Sequence, residues 1–158
     1  LENGSVDYNH LEKLLKISSS TLVSLMHINN EIGNILDLKK VAVLCKENNA
    51  LFHSDTVQSF GHFNMDVKVI PIDFMVASAH KFHGPKGIGF TFIRKNSGLK
   101  SLIIGGAQER GIRAGTESIH DIVGLDEALN LSYKNLVKDN YFVTDQMSYF
   151  ITQLKTKD

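Results

Sequence analysis

An α/β fold with a mostly parallel sheet is what this sequence predicts, on three observations. Short apolar runs at Thr21–Met26, Ala50–Phe52 and Asp73–Ala77 each lead into polar residues: His27, Asn29 and Asn30, then His53-Ser54-Asp55, then Ser78-Ala79-His80-Lys81. Such runs suit buried parallel strands that deliver polar groups from their ends. A helical pattern separates the first two runs, which makes a βαβ unit. With 158 residues, 42% of them hydrophobic, the chain has the size of one domain and enough apolar side chains for a core.

Each element has its own local reason. Asp37 can cap a helix running to about Asn48, because Leu38, Val41, Ala42 and Cys45 recur at three- and four-residue steps and Asn48-Asn49 supply a stop. Cys45 then faces the core. Gly84-Pro85-Lys86-Gly87 punctuates the chain before Ile88–Ile93, and the short span after Lys81 leaves no room for a crossover helix. That strand is expected to run antiparallel. A glycine-rich loop follows, Gly105 to Gly111 and Arg113 to Thr116, and Ser118 with Asp121 resembles a capping box. From Ile119 onward the pattern is mostly helical, with Met147, Phe150, Ile151 and Leu154 forming one amphipathic stripe.

Composition excludes several classes. Seventeen Lys+Arg balance seventeen Asp+Glu, so no overall pull toward nucleic acid or anionic membrane is expected. No run approaches the roughly 18 consecutive apolar residues of a membrane helix, and the start is too polar and acidic for a secretory signal. The single cysteine rules out an internal disulfide framework and suits a reducing, cytoplasmic location. His80 and His83 have a spacing that can serve zinc, but no cysteine or acidic third ligand stands beside them, so no metal site is expected. His27, His53 and His120 read as packed or hydrogen-bonded.

In open α/β sheets, ligands sit beyond the carboxyl ends of the strands. A lysine at a strand tip beside small residues can approach a carbonyl cofactor closely. Pyridoxal 5'-phosphate needs an amine, a carboxylate for its pyridinium nitrogen, donors for its phenolate oxygen and donors for its phosphate. Lys81 offers the amine, Asp55 the carboxylate, Asn30 and Gln58 amide groups, and Ser78 and His80 phosphate donors. Taken singly these residues have ordinary readings: Lys81 as a surface lysine, Asp55 as a helix cap, Asn30 as a turn residue.

Four segments together are specific: His27-Ile28-Asn29-Asn30-Glu31-Ile32-Gly33, His53-Ser54-Asp55-Thr56-Val57-Gln58-Ser59, Ser78-Ala79-His80-Lys81, and Glu109-Arg110-Gly111-Ile112-Arg113-Ala114-Gly115-Thr116. In order and spacing they resemble the cysteine desulfurases, pyridoxal-phosphate enzymes of the class V aminotransferase group. The GPKG and ERGIRAGT forms look most like the desulfurases that serve iron–sulfur cluster assembly. The resemblance implies a three-layer large domain of the pyridoxal-phosphate transferase type. Residues 1–158 would be the central and C-terminal part of that domain, with a last helix at about 135–158 leading toward a small domain. It implies Lys81 as the Schiff-base lysine, Asp55 as the pyridinium partner, Asn30 and Gln58 at the phenolate oxygen, and Ser78 and His80 at the phosphate. Thr116 would reach the phosphate of a neighbouring subunit in a homodimer. L-cysteine would be the substrate, and an iron–sulfur scaffold or other acceptor would receive the sulfur. The family's cofactor-stacking histidine and phosphate loop would lie before Leu1, and its loop cysteine and substrate-binding arginine after Asp158, so this chain alone is expected to be inactive. Another class V lyase or transaminase, or a non-catalytic fragment, would keep much of the same pattern.

Overall fold

The computed structural model describes residues 1–156 and contains three α-helices and four strands among them. These are α1 (Tyr8–Leu15), β1 (Leu22–Ser24), α2 (Leu38–Glu47), β2 (Leu51–Asp55), β3 (Phe74–Ser78), β4 (Gly89–Ile93) and α3 (Ile119–Lys155). Single 3-10 turns occupy Ala79–Phe82 and Gln108–Gly111. The sheet order is β1-β2-β3-β4. β1, β2 and β3 are parallel, and β4 returns antiparallel to β3 with Ser78 opposite Gly89. The short segment after Lys81 thus acts as expected, as a link too short for a crossover.

Helix α2 forms where its cap and apolar spacing place it. The Asp37 carboxylate accepts the Lys40 N–H at 2.9 Å, occupying a donor that the first turn leaves unpaired. Leu38, Val41, Ala42 and Cys45 are its buried face. Asn48 ends it, and Asn49 takes a left-handed φ of 54°. The buried face meets Phe52, which is fully enclosed. Each such large side chain contributes about 1.5–3 kcal/mol by leaving water.

Alternation along the strands divides the sheet into two unlike faces. Val23, Phe52, Ser54, Met75 and Ala77 are buried on one, while Ser24, His53, Asp55, Phe74 and Val76 stand partly or fully exposed on the other. The strands therefore alternate more than the apolar runs suggested, because within this chain one face is packed and the other is open. Helix α3 joins the core near its beginning, through Ala128 with Leu125, Leu129 and Tyr133. There Phe60 meets Phe90, Phe82 and Tyr133 at ring-centroid distances of 4.8, 6.0 and 6.1 Å.

Some expectations need correction. Helix α1 has no counterpart in the sequence reading. It spans eight residues, buries only Leu15 and starts from Asp7, whose carboxylate accepts the His10 N–H at 3.0 Å. At Ser118 the capping box does not close, because the hydroxyl donates to the Asp121 carboxylate at 2.7 Å instead of accepting a backbone N–H. The stripe of Met147, Phe150, Ile151 and Leu154 exists on the helix, but all four are exposed, at 55, 61, 41 and 51%. The stretch from about 135 is the second half of α3, and its last two residues lie outside the described ones.

Candidate active site

Parallel pairing puts the carboxyl ends of β1, β2 and β3 side by side, and six of the seven singled-out residues lie at or beyond them. The first link is main chain: the His27 N–H donates to the Asp55 carbonyl at 2.8 Å, which fastens the segment after β1 to the end of β2. From there the chain folds into a tight loop. Asn29 Oδ1 accepts the N–H groups of Glu31 and Ile32 at 2.9 and 3.0 Å. Asn30 is at the loop's exposed rim, where its amide donates to Glu31 Oε1 at 2.8 Å.

Asp55 closes β2 on the open face of the sheet and is half-buried. One carboxylate oxygen accepts the Val57 N–H at 2.9 Å, so the side chain starts a turn and does not cap a helix. The next residues lock that turn. Thr56 Oγ1 donates to the Val76 carbonyl at 2.7 Å, and Ser59 Oγ to the Thr56 carbonyl at 3.1 Å. Thr56 and Ser59 are fully buried, which fixes half-buried Gln58 between them, close in the chain to Asp55.

Ser78 ends β3, and the Ala79 N–H donates to the Ile88 carbonyl at 3.0 Å as the chain turns away from the sheet. His80 and Lys81 follow in the 3-10 turn and are exposed, between enclosed Ala79 and Phe82. The turn closes with His83 in the left-handed region at φ 68° and a Gly84 N–H bond to Ala79 O of 2.8 Å. Buried neighbours thus anchor the turn while its two polar side chains point outward.

Thr116 belongs to a different segment, the loop between β4 and α3. It is exposed in a loop stitched to itself, where the Ala114 N–H donates to the Ile103 carbonyl at 3.1 Å and the Gly115 N–H to Gln108 Oε1 at 3.2 Å. Glu109 and Arg110 there both hold positive φ, 49° and 58°. Non-glycine residues in that region carry strain and concentrate at functional loops.

His27 is packed as expected, while the unpaired Ser54 hydroxyl and the reach of His62 escaped the sequence. His27 is 8% exposed, meets Phe63 edge-on at 5.7 Å and leaves Nδ1 without a partner among the described residues. Burial holds its pKa below the ordinary histidine value. Ser54 Oγ, beside Asp55, is likewise buried and unpaired. His62 Nε2 contacts the Lys81 carbonyl oxygen at 2.9 Å, and no local pattern signals a contact with a turn on another strand. His53 is hydrogen-bonded as expected, through Nδ1 to Ser24 Oγ at 2.8 Å.

Two clefts are open elsewhere. One of about 220 Å³ lies between α3 and the 3-10 turn, lined by His62, His83 and Asp139 among others. The other, of about 330 Å³, is at the opposite edge of the sheet beside Asp73 and Arg94. Neither includes Asp55 or Lys81. The chemistry of the carboxyl edge therefore rests on its donor set: an exposed amine, a half-buried carboxylate, amides and a hydroxyl on adjacent strand ends.

Comparison with known proteins places the chain as a whole in a family. The profile of aminotransferase class-V proteins matches residues 1–148. Over 144 residues the chain is 44% identical to cysteine desulfurase IscS of Buchnera aphidicola subsp. Acyrthosiphon pisum (strain 5A), covering 90% of this chain and 35% of that protein. The fold superimposes on a NifS-like protein from Rickettsia africae ESF-5 with a TM-score of 0.92 and 35% identity, over 98% of this chain and 43% of the other. A structure of SspA in complex with cysteine is also similar, at a TM-score of 0.76 and 36% identity over 81% of this chain and 37% of that one. The chain thus spans little more than a third of the curated relative, and by the match over residues 1–148 it belongs to the aminotransferase class-V family.

Proposed function

We propose that this chain is part of a pyridoxal-phosphate-dependent cysteine desulfurase. The whole protein would convert L-cysteine to L-alanine and pass the sulfur to an enzyme cysteine for iron–sulfur cluster assembly. The observation that carries this reading is the gathering of Asp55, Gln58, Ser78, His80 and Lys81 at the ends of neighbouring parallel strands, in a chain whose relatives include proteins named cysteine desulfurase.

The donor set fits the cofactor. Asp55 has one carboxylate oxygen bound to the Val57 N–H, and its place on the open face suits a bond to a ring nitrogen from the other oxygen. Lys81 projects from an anchored turn and would hold the group through its amine. Asn30 and Gln58 would serve the phenolate oxygen, and Ser78 and His80 the phosphate. When bound, pyridoxal phosphate supplies an electron sink. Lys81 would take the proton from the substrate α-carbon and return a proton to the product, a general acid–base role that needs an exposed, well-held amine. Asp55 would keep a proton on the ring nitrogen by opposite charge. Cys45 is 1% exposed and its thiol is pushed up to about 11 by burial, so the sulfur-accepting thiol would be a different cysteine of the whole protein.

Thr116 is exposed on a self-stitched loop that follows β4, which supports its proposed reach to the phosphate of a neighbouring subunit in a homodimer. Among the described residues no helix is long and apolar enough to cross a membrane. The enzyme would be cytoplasmic and would hand sulfur to an iron–sulfur scaffold or other acceptor, a reading that rests on the single cysteine and on relatives named cysteine desulfurase.

The test uses the full-length protein. Pyridoxal phosphate should give it a visible absorbance band, borohydride should fix the cofactor on Lys81, and cysteine should yield equal alanine and sulfur. Lys81→Ala should abolish the band, and Asp55→Ala should keep cofactor while slowing turnover by about a hundredfold or more. Sulfide release at the native rate by Lys81→Ala would sink the proposal. Transfer of the amino group to a keto acid would favour a transaminase of the same family.

A further inference from the structure

The turn that carries Lys81 is held from outside at two successive carbonyls. His62 Nε2 is 2.9 Å from the Lys81 oxygen, and Ser132 Oγ of α3 donates to the Phe82 oxygen at 3.3 Å. A carbonyl only accepts, so His62 Nε2 carries the proton in this contact whether the ring is neutral or charged. His62 is itself fastened: the Asn140 side chain of α3 donates to its carbonyl at 3.1 Å. Just before it, Gly61 lies so close to the turn that an added Cβ would come within 2.6 Å of the Phe82 Cβ. His83 faces the His62 ring edge-on at 6.4 Å. A line of contacts therefore runs from α3 through His62 to the Lys81 main chain.

A lone 3-10 turn has poor hydrogen-bond geometry. Here it ends with the His83 and Gly84 N–H groups, both directed at the Ala79 carbonyl. Main-chain freedom at Lys81 would spread its amine over several positions, and errors of about 1 Å can cost about a hundredfold in rate. We propose that His62 is a positioning residue for Lys81, acting through the Lys81 carbonyl with Asn140 behind it. The assignment rests on Lys81 as the cofactor-bearing lysine. His62 touches neither substrate nor cofactor in this role. Its part is to supply an N–H at one point, so another side chain with an N–H of similar reach should replace it.

The experiment takes the full-length enzyme, stripped of cofactor, as wild type, His62→Ala and His62→Gln. Amide exchange is measured at His83 and Gly84, and uptake of pyridoxal phosphate is followed by borohydride trapping and peptide mass spectrometry at Lys81. In His62→Ala, exchange at those two amides should rise about tenfold and trapping at Lys81 should slow about tenfold. His62→Gln should restore both to within about twofold. Unchanged exchange and trapping in His62→Ala would overturn the proposal. Should His62→Ala loosen the strands as well, His62→Gln decides: wild-type protection at His83 and Gly84 with native trapping supports the role, and failure of rescue refutes it. Wild type trapped at another lysine, or at none, would instead sink the functional reading, and the exchange comparison would still decide whether His62 holds the turn.

Discussion

At the scale of single residues, burial and charge decide what Cys45 and His27 can do. The Cys45 thiol is pushed up to about 11 from its ordinary 9.0, by burial first and by the Asp73 charge second. A folded-state value above the unfolded one stabilises the fold fully below pH 9.0, and that contribution is lost as pH rises through about 11. Iodoacetamide at pH 8 should therefore leave the native chain unmodified, and Cys45→Ala should cost on the order of 1 kcal/mol in urea unfolding. Rapid alkylation of folded protein would contradict the first. His27 shows the opposite sign, since burial lowers its pKa from 6.5. Its contribution is present above pH 6.5 and is lost as pH falls through the lower folded value. An NMR titration of its ring should give a midpoint below 6.5, and one at or above it would refute the burial argument. The places of Asp55 and Lys81 at the strand ends were legible because each lies in the polar tip that follows an apolar run. His62 was not, since its contact joins positions 19 apart through a fold that spacing does not encode.

At the scale of elements, caps and close approaches matter most. Asp37 and the steps from Leu38 to Cys45 made α2 legible, and it ends at Glu47, one residue before the expected stop at about Asn48. Helix α1 offers too few buried positions to announce itself, and the stripe near the end of α3 revealed a helix but not what covers it. Gly61 and Gly33 separate two costs of adding a methyl group. Both have positive φ, 82° and 69°, but a Cβ at Gly61 would strike Phe82 at 2.6 Å while one at Gly33 would meet nothing within 4 Å. Gly33→Ala should cost about 1 kcal/mol of backbone strain, and Gly61→Ala about 2–3 kcal/mol through strain and overpacking together. Equal losses in chemical unfolding would show that the approach of Gly61 to the Lys81 turn is not tight.

At the scale of the whole molecule, the parallel order β1-β2-β3 followed from one helix between strands and from polar strand tips, whereas the open second face of the sheet did not. Apolar runs alone cannot show which face this stretch of chain covers. The antiparallel return of β4 has a kinetic side. β3 and β4 are joined by the shortest link in the sheet, from Ala79 to Ile88, and that link contains the Lys81 turn. Short loops close at low entropic cost, and local pairings lead folding. The hairpin of β3 and β4 should then belong to the rate-limiting nucleus, with β2 and β1 added after longer crossovers. Gly87, with φ 87° and nothing within 4 Å of an added Cβ, probes this by strain alone. Gly87→Ala should slow refolding of this chain about fivefold, as about 1 kcal/mol of strain would, and barely change its unfolding rate. Faster unfolding with unchanged refolding would place the hairpin late. Substitutions in Gly84-Pro85-Lys86-Gly87 would thus be felt first as a lower yield of folded protein during synthesis, before any loss at the strand ends could be measured.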